Sequence, residues 1–189
     1  MVKLNKIYTR TGDAGDTGLV DGSRVSKASP RIAVIGEVDE ANCAIGAAIC
    51  HLEEGPARQM LARIQNEMFD LGADLATPGE DFAPTDMALR ITLPQVERLE
   101  AEIDTMNDGL APLTSFILPG GLIAAAELHR ARAIVRRAER AAVAAAAEVA
   151  LNPQALAYIN RLSDHLFVLA RLVNRGAGGD VLWKPGATR

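Results

Sequence analysis

The fold turns on Leu122-Ile-Ala-Ala-Ala-Glu-Leu-His-Arg-Ala-Arg-Ala-Ile-Val-Arg-Arg-Ala-Glu-Arg140, which runs on to Leu151 without a glycine or proline. Alanine, arginine and glutamate are among the strongest helix formers, so this stretch predicts the longest helix of the chain, over 122 to about 151. Arg132, Arg136 and Arg140 recur every four residues and make one stripe, with Arg137 and Glu139 on its flanks and Arg130 further round. Five arginines from Arg130 to Arg140 face only Glu127 and Glu139, and no lysine replaces any of them. One reading is a solvated face stitched by Glu and Arg pairs. The other is an anion-binding stripe, since forked guanidiniums suit bidentate contacts to phosphate or carboxylate. The alanine-rich run Ala141 to Ala147 reads as close helix packing.

Moving outward, the same period recurs. Ile32, Ile35, Val38, Asn42, Ile45 and Ile49 follow Pro30, and Met60, Leu61, Ile64, Met68, Leu71 and Leu75 run from Pro56 to a stop at Thr77-Pro-Gly79. Thr92 and Gln95 form a capping box before Val96, Leu99, Ile103 and Met106, and Asn107-Asp-Gly109 closes that shorter helix. Asn152-Pro153 opens a last helix through Leu156, Ile159, Leu162, Leu166, Leu169 and Val173, ending at Gly176. No segment alternates as a strand would. The expectation is an all-α, up-and-down bundle of five helices in a single domain. It comprises an irregular N-terminal loop region (1–29), the bundle (30–176) and a tail (177–189).

Composition bounds the function. A chain of 189 residues that is 49% hydrophobic can bury a sizeable core, and a net charge of -4 offers no overall basic footprint for nucleic acid. Cys43 and Cys50 lie one heptad apart and read as buried structural thiols of a reducing compartment, not as a zinc site. Met1 to Lys6 lacks the apolar core of a signal peptide, and no run approaches the roughly 18 apolar residues of a membrane span. The protein is expected in the cytoplasm.

The first 30 residues are the anomaly. Gly12, Gly15 and Gly18 allow positive φ and close backbone approach to a ligand, Thr9, Thr11 and Thr17 add hydroxyls, and Arg10 and Lys27 add charge. A nest for phosphate oxygens and a merely flexible lead both fit, and no Walker motif is present. On the last helix, Asn160, Ser163 and Asp164 share a face, which suits either a ligand-facing amide or a polar bundle seam. His165 beside Asp164 is not read as a catalytic pair, because helix neighbours point about 100° apart.

Taken together, these groups resemble the PduO-type ATP:cob(I)alamin adenosyltransferases. The matching stretches are Tyr8-Thr-Arg-Thr-Gly-Asp-Ala-Gly-Asp-Thr-Gly18, Gly22-Ser-Arg-Val-Ser-Lys27, Gly36-Glu-Val-Asp-Glu-Ala-Asn42, Phe116-Ile-Leu-Pro-Gly-Gly121, Arg132-Ala-Ile-Val-Arg-Arg-Ala-Glu-Arg140 and Asn160-Arg-Leu-Ser-Asp164. They span nearly the whole chain; Ala41 stands where the family often has leucine. The resemblance implies a homotrimer with active sites between subunits. Thr9, Arg10, Thr11, Gly12, Thr17, Gly18 and Lys27 would hold ATP, completed by Arg136, Arg137, Glu139, Arg140 and Asn160. Asp39 would pair with Arg132 across the interface, and Phe116 would project toward the lower face of cobalt. Magnesium would be carried mainly by the ATP phosphates. A cob(II)alamin reductase and an adenosylcobalamin-dependent mutase would be partners. Trp183 could shield a corrin or anchor the tail, and is read as the anchor. The rival readings are a non-catalytic ATP sensor, an adenosylcobalamin carrier and a plain structural bundle.

Overall fold

The computed structural model describes residues 7–189; Met1 to Lys6, read above as lacking a signal peptide, lie outside the described residues. The helices are α1 (Pro30–Ile49), α2 (Pro56–Leu75), α3 (Leu93–Asn107), α4 (Ile123–Ala146) and α5 (Pro153–Arg175). Four of the five start at or next to a proline, which needs no intrahelical N–H partner there. Ser29 and Asn152 cap α1 and α5 by accepting the N–H of Ile32 and Gln154, and the Gln95 side chain accepts the Thr92 N–H at 2.9 Å.

The packing follows from which faces are apolar. α1 packs on α2 and α4, and α5 packs on α4 and α3. Consecutive helices alternate in direction, because the start of α1 meets the ends of α2 and α4 through Arg31, whose guanidinium donates to Leu75 O and Ala150 O. α3 and α5 run the same way, with Glu100 beside Arg161, Glu102 beside His165 and Gly109 beside Arg175. Ile45, Leu61, Ile64, Leu71, Leu99, Leu128, Leu162 and Leu166 fill the middle, all fully buried. Alanines 41, 44 and 48 of α1 and 125, 131, 138 and 142 of α4 are also buried, so small side chains line the seam where these two helices approach.

Polar groups are buried in two clusters. At the base of the bundle, Asp74 binds Arg90 at 2.8 Å, the Ile91 N–H and the Asn152 amide, fixing the long α2–α3 connection to the start of α5. Midway up, Glu67 accepts from Tyr158 and Arg98, while Glu102 accepts from Arg63 and sits 2.9 Å from His165 Nε2. Burial pushes the Glu102 carboxyl up, but the hydrogen bonds from His165 and Arg63 outweigh it and hold it down to about 2. The stability this pairing gives is present above the ordinary carboxyl value of 4.5 and is lost as pH falls from there through about 2.

Three expectations need correction. The N-terminal region contains a small antiparallel hairpin, β1 (Asp16–Gly18) with β2 (Arg24–Ser26), whose polar three-residue strands are too short to alternate visibly. α4 ends at Ala146, not near Leu151. Arg31 captures the Ala150 carbonyl, and Pro153 disfavours a helical Asn152, whose ψ of 122° is extended. Cys43 and Cys50 are exposed and unpaired, not buried. The heptad spacing puts them on one face, but the buried face of α1 is the one carrying Ala41, Ala44, Ile45 and Ala48.

Candidate functional site

The N-terminal loop is a built object. Arg10 adopts φ 63°, an unusual conformation for a residue with a side chain, and Gly15 adopts φ 92°. Positive φ is thus used at Gly15 but not at Gly12 or Gly18. Gly12 serves instead by close approach: Lys27 Nζ donates to its carbonyl at 2.8 Å, and a Cβ at Gly12 would sit 3.0 Å from that nitrogen. Arg24, unremarked in the sequence, donates to Thr11 O and Asp16 O and closes the loop from the other side. Thr9 and Thr11 hydroxyls lie 2.8 Å apart, and Thr17 sits in β1 opposite Val25. The loop therefore offers exposed hydroxyls and backbone around two cations. Its hydrogen bond to the bundle, among the described residues, is Val20 N–H to Ala76 O at the end of α2.

Apart from Arg130, which pairs with Glu127 on its own helix, the α4 arginines separate into three kinds. Arg136 and Arg140 are exposed, and among the described residues Arg140 reaches the Arg136 carbonyl alone. Arg137 forms ion pairs with Glu37 and Glu40 of α1, so the sequence-level stripe flank is here a tie between helices. Those two carboxylates, Glu40 foremost, raise its proton affinity. Arg132 is half-buried, its Nε has no partner among the described residues, and its guanidinium lies 5.8 Å from the Phe167 ring centroid. Burial, then Arg136, pulls its pKa down. Glu139 accepts from the Asn160 amide at 2.6 Å, bridging α4 and α5. Ser163 and Asp164 do not join that bridge: Ser163 is buried on the Asn160 carbonyl, and Asp164 faces Arg161.

Arg132 opens onto a cavity of about 550 Å³ lined by Phe116, Ile117, Phe167, Trp183 and Pro185 among others. Phe116 is 78% exposed, and its ring centroid is 5.9 Å from that of Trp183. Its backbone is fixed, because Trp183 N–H donates to Phe116 O, Leu118 N–H donates to Val181 O, and Ser115 Oγ donates to Trp183 O. The tail is thus anchored by backbone and side-chain hydrogen bonds, while the Trp183 ring faces the cavity. The Pro119-Gly-Gly121 turn below it is fixed by Asn174, which accepts the Leu122 N–H and donates to Gly120 O. Gly121 has φ 94°, and a Cβ there would meet the Asn174 amide at 2.3 Å.

Asp39 is exposed on α1 and lies in a different hollow, lined by Ile32, Ile35, Met68 and Phe69 between α1 and α2. It does not meet Arg132 within one chain. Among the described residues no three carboxylate, thiol or imidazole groups come together to hold a metal, and no helix is long and apolar enough to cross a membrane.

The sequence model of the cobalamin adenosyltransferase family matches residues 7–173. A corrinoid adenosyltransferase of Mycobacterium tuberculosis is 48% identical, over 100% of this chain and 97% of the relative. One from Bacillus subtilis is 42% identical, over 96% and 94%. A solved PduO-type ATP:corrinoid adenosyltransferase from Lactobacillus reuteri, a phenylalanine-to-alanine variant complexed with cobalamin and ATP, superposes with a TM-score of 0.85 at 38% identity, covering 95% of this chain and 99% of that one. The loop, the arginine-bearing α4 and the aromatic cavity therefore sit on a chain that belongs to the cobalamin adenosyltransferase family.

Proposed function

We propose that this protein transfers the 5'-deoxyadenosyl group of ATP to cob(I)alamin, giving adenosylcobalamin and triphosphate. One observation carries the reading: α4 presents Arg132 to an aromatic cavity and, one and two turns further on, exposed Arg136 and Arg140 with no carboxylate partner among the described residues. A single rigid helix thereby spans a place for a flat apolar macrocycle and a place for a polyanion.

The reaction needs no protein nucleophile. Cobalt(I) attacks C5', the C5'–O bond breaks, and the electron pair leaves with triphosphate. The chain's task is alignment, which can supply about 7–11 kcal/mol, and stabilisation of charge growing on the leaving group. Thr9, Arg10, Thr11, Gly12, Thr17, Gly18 and Lys27 take the nucleotide, chiefly its phosphates, with Arg136, Arg140 and the Asn160–Glu139 bridge closing the far side; Arg137 contributes from its tie to α1. Phe116 faces the lower side of cobalt, where removing the axial base makes cob(II)alamin easier to reduce. Magnesium travels on the triphosphate, since the described residues offer no ligand set of their own.

The same reading has the protein acting as a homotrimer. The loop's described hydrogen bonds stay away from α4, Asp39 sits in an apolar groove beside Phe69, which is 72% exposed, and Arg132 has no carboxylate partner among the described residues of its own chain. A neighbouring copy supplies each with its counterpart: its loop covers these arginines and its Asp39 meets this Arg132. Loop (1–29), bundle (30–176) and tail (177–189) work as one domain. A cytoplasmic reductase delivers the electron that makes cob(I)alamin, and a mutase receives the product.

The deciding experiment mixes the protein with ATP, magnesium and chemically reduced cob(I)alamin without oxygen. The visible spectrum is expected to convert to that of adenosylcobalamin, and Arg136→Ala to lose at least about a hundredfold in rate. ATP binding with no conversion would overturn the reading in favour of a nucleotide sensor.

A further inference from the structure

Behind the aromatic wall lies a residue that the reaction above does not use. His129, on α4 one turn before Arg132, is 2% exposed, and neither ring nitrogen has a hydrogen-bond partner among the described residues. An unpartnered polar ring in a core is costly, and the neighbouring interior positions of α4 hold leucine, valine or alanine. Its contacts say what it does. The His129 and Phe167 rings meet nearly edge to face, centroids 6.1 Å apart at 61°. Arg132 lies over that same Phe167 ring at 5.8 Å. Phe167 and Arg132 both line the cavity that holds Phe116 and Trp183. Imidazole, phenyl and guanidinium therefore form one stack, two members of which are cavity wall.

The charged groups facing His129 are Arg132 on its own helix and Asp180 on the tail. Arg171 of α5 holds Asp180 at 3.0 Å, and the other oxygen of that carboxylate is buried without a partner. Burial, then Arg132, pushes the imidazole below its ordinary range, while Asp180 pulls it up. A proton on His129 would place a second cation against the ring Arg132 already occupies, in a site where water screens poorly.

We propose that His129 is a positioning residue of the cobalamin cavity: as a neutral imidazole it holds Phe167, and through it Arg132, in place, and its protonation takes the stack apart. The inference rests on the reading that this cavity receives the corrin. It predicts a cavity that weakens as pH falls below the ordinary imidazole range, without any titrating group touching the ligand.

The test is cob(II)alamin binding in the presence of magnesium ATP, followed by the visible and electron paramagnetic resonance spectra from about pH 8 to about pH 4.5, a range that extends well below ordinary imidazole titration. It uses the intact protein, His129→Phe and His129→Gln, with thermal unfolding recorded at each pH. The wild type should lose about tenfold in affinity toward acid, and both variants should give flat profiles, with His129→Gln weaker throughout because it lacks the ring. A flat wild-type profile, or the wild-type slope persisting in His129→Phe, overturns the inference. No cob(II)alamin binding by the wild type at pH 8 would instead overturn the reading on which it rests.

Discussion

Two arginines, buried Arg90 and half-buried Arg132, set the two ends of the molecule apart. At the base, Arg90 meets Asp74 at 2.8 Å and donates to the carbonyls of Thr77 and Asp81. At the cavity, Arg132 meets an aromatic ring and has no carboxylate partner among the described residues, with unpaired buried atoms on His129 and Asp180 nearby; an unpartnered Nε is common to both arginines. Burying a charge is tolerable when it is paired and hydrogen-bonded, and costly otherwise. The base holds the bundle together, and the cavity wall keeps bonding capacity for something that arrives. If that contrast is sound, substitutions at the base should show in stability and substitutions at the wall in turnover.

The largest expected effect is at the base. Asp74→Ala leaves Arg90 buried without its counter-charge and strips Asn152 and the Ile91 N–H of their acceptor, so the loss in urea unfolding should be about 3–5 kcal/mol. A loss below about 1 kcal/mol would mean that the knot does not hold the bundle, and the contrast would fail at its strong end.

Phe116→Ala tests the other end. An exposed side chain has little burial to lose, so unfolding stability should stay within about 0.5 kcal/mol. Turnover that starts from cob(II)alamin should fall about a hundredfold, equivalent to about 2.7 kcal/mol, and turnover from prereduced cob(I)alamin should fall less. The Lactobacillus reuteri relative described above is itself a phenylalanine-to-alanine variant that was complexed with both cobalamin and ATP. Unchanged turnover from cob(II)alamin would remove Phe116 from the chemistry.

The bundle was legible because its signals are local: proline, with Thr92 or Asn152, at helix starts, and apolar residues every three or four positions. Three features that residue type alone does not report share a cause. Asp74 and Arg90 look like surface charges until the α2–α3 connection brings them together under Asn152, far along the chain. Phe116 looks like core until the backbone bonds with Val181 and Trp183 fix it at a rim. The cysteines share a face as their spacing requires, but which face α1 buries is set by α4, and no local period reports that. Long-range pairing decides all three, and single-residue character does not encode it. The loop's unusual composition was legible, while the part Arg24 plays in holding it was hidden because its partners are backbone carbonyls.

Arg137 lies between the two kinds of arginine, and the smallest predicted effect belongs to it. By spacing it flanks the stripe proposed to face phosphate, yet Glu37 and Glu40 already engage its guanidinium from α1. Its side chain is 42% exposed, so solvent screens those pairs and their removal should leave the thermal midpoint within experimental error. The same carboxylates offset its charge toward a triphosphate, whereas nothing described offsets Arg136. Arg137→Ala should therefore raise the KM for ATP by less than about tenfold with kcat nearly unchanged, while Arg136→Ala lowers kcat. A kcat loss in Arg137→Ala equal to that in Arg136→Ala would mean that the tie to α1 opens when ATP binds. Arg137 would then belong with Arg132, as a group whose partner arrives with the substrate.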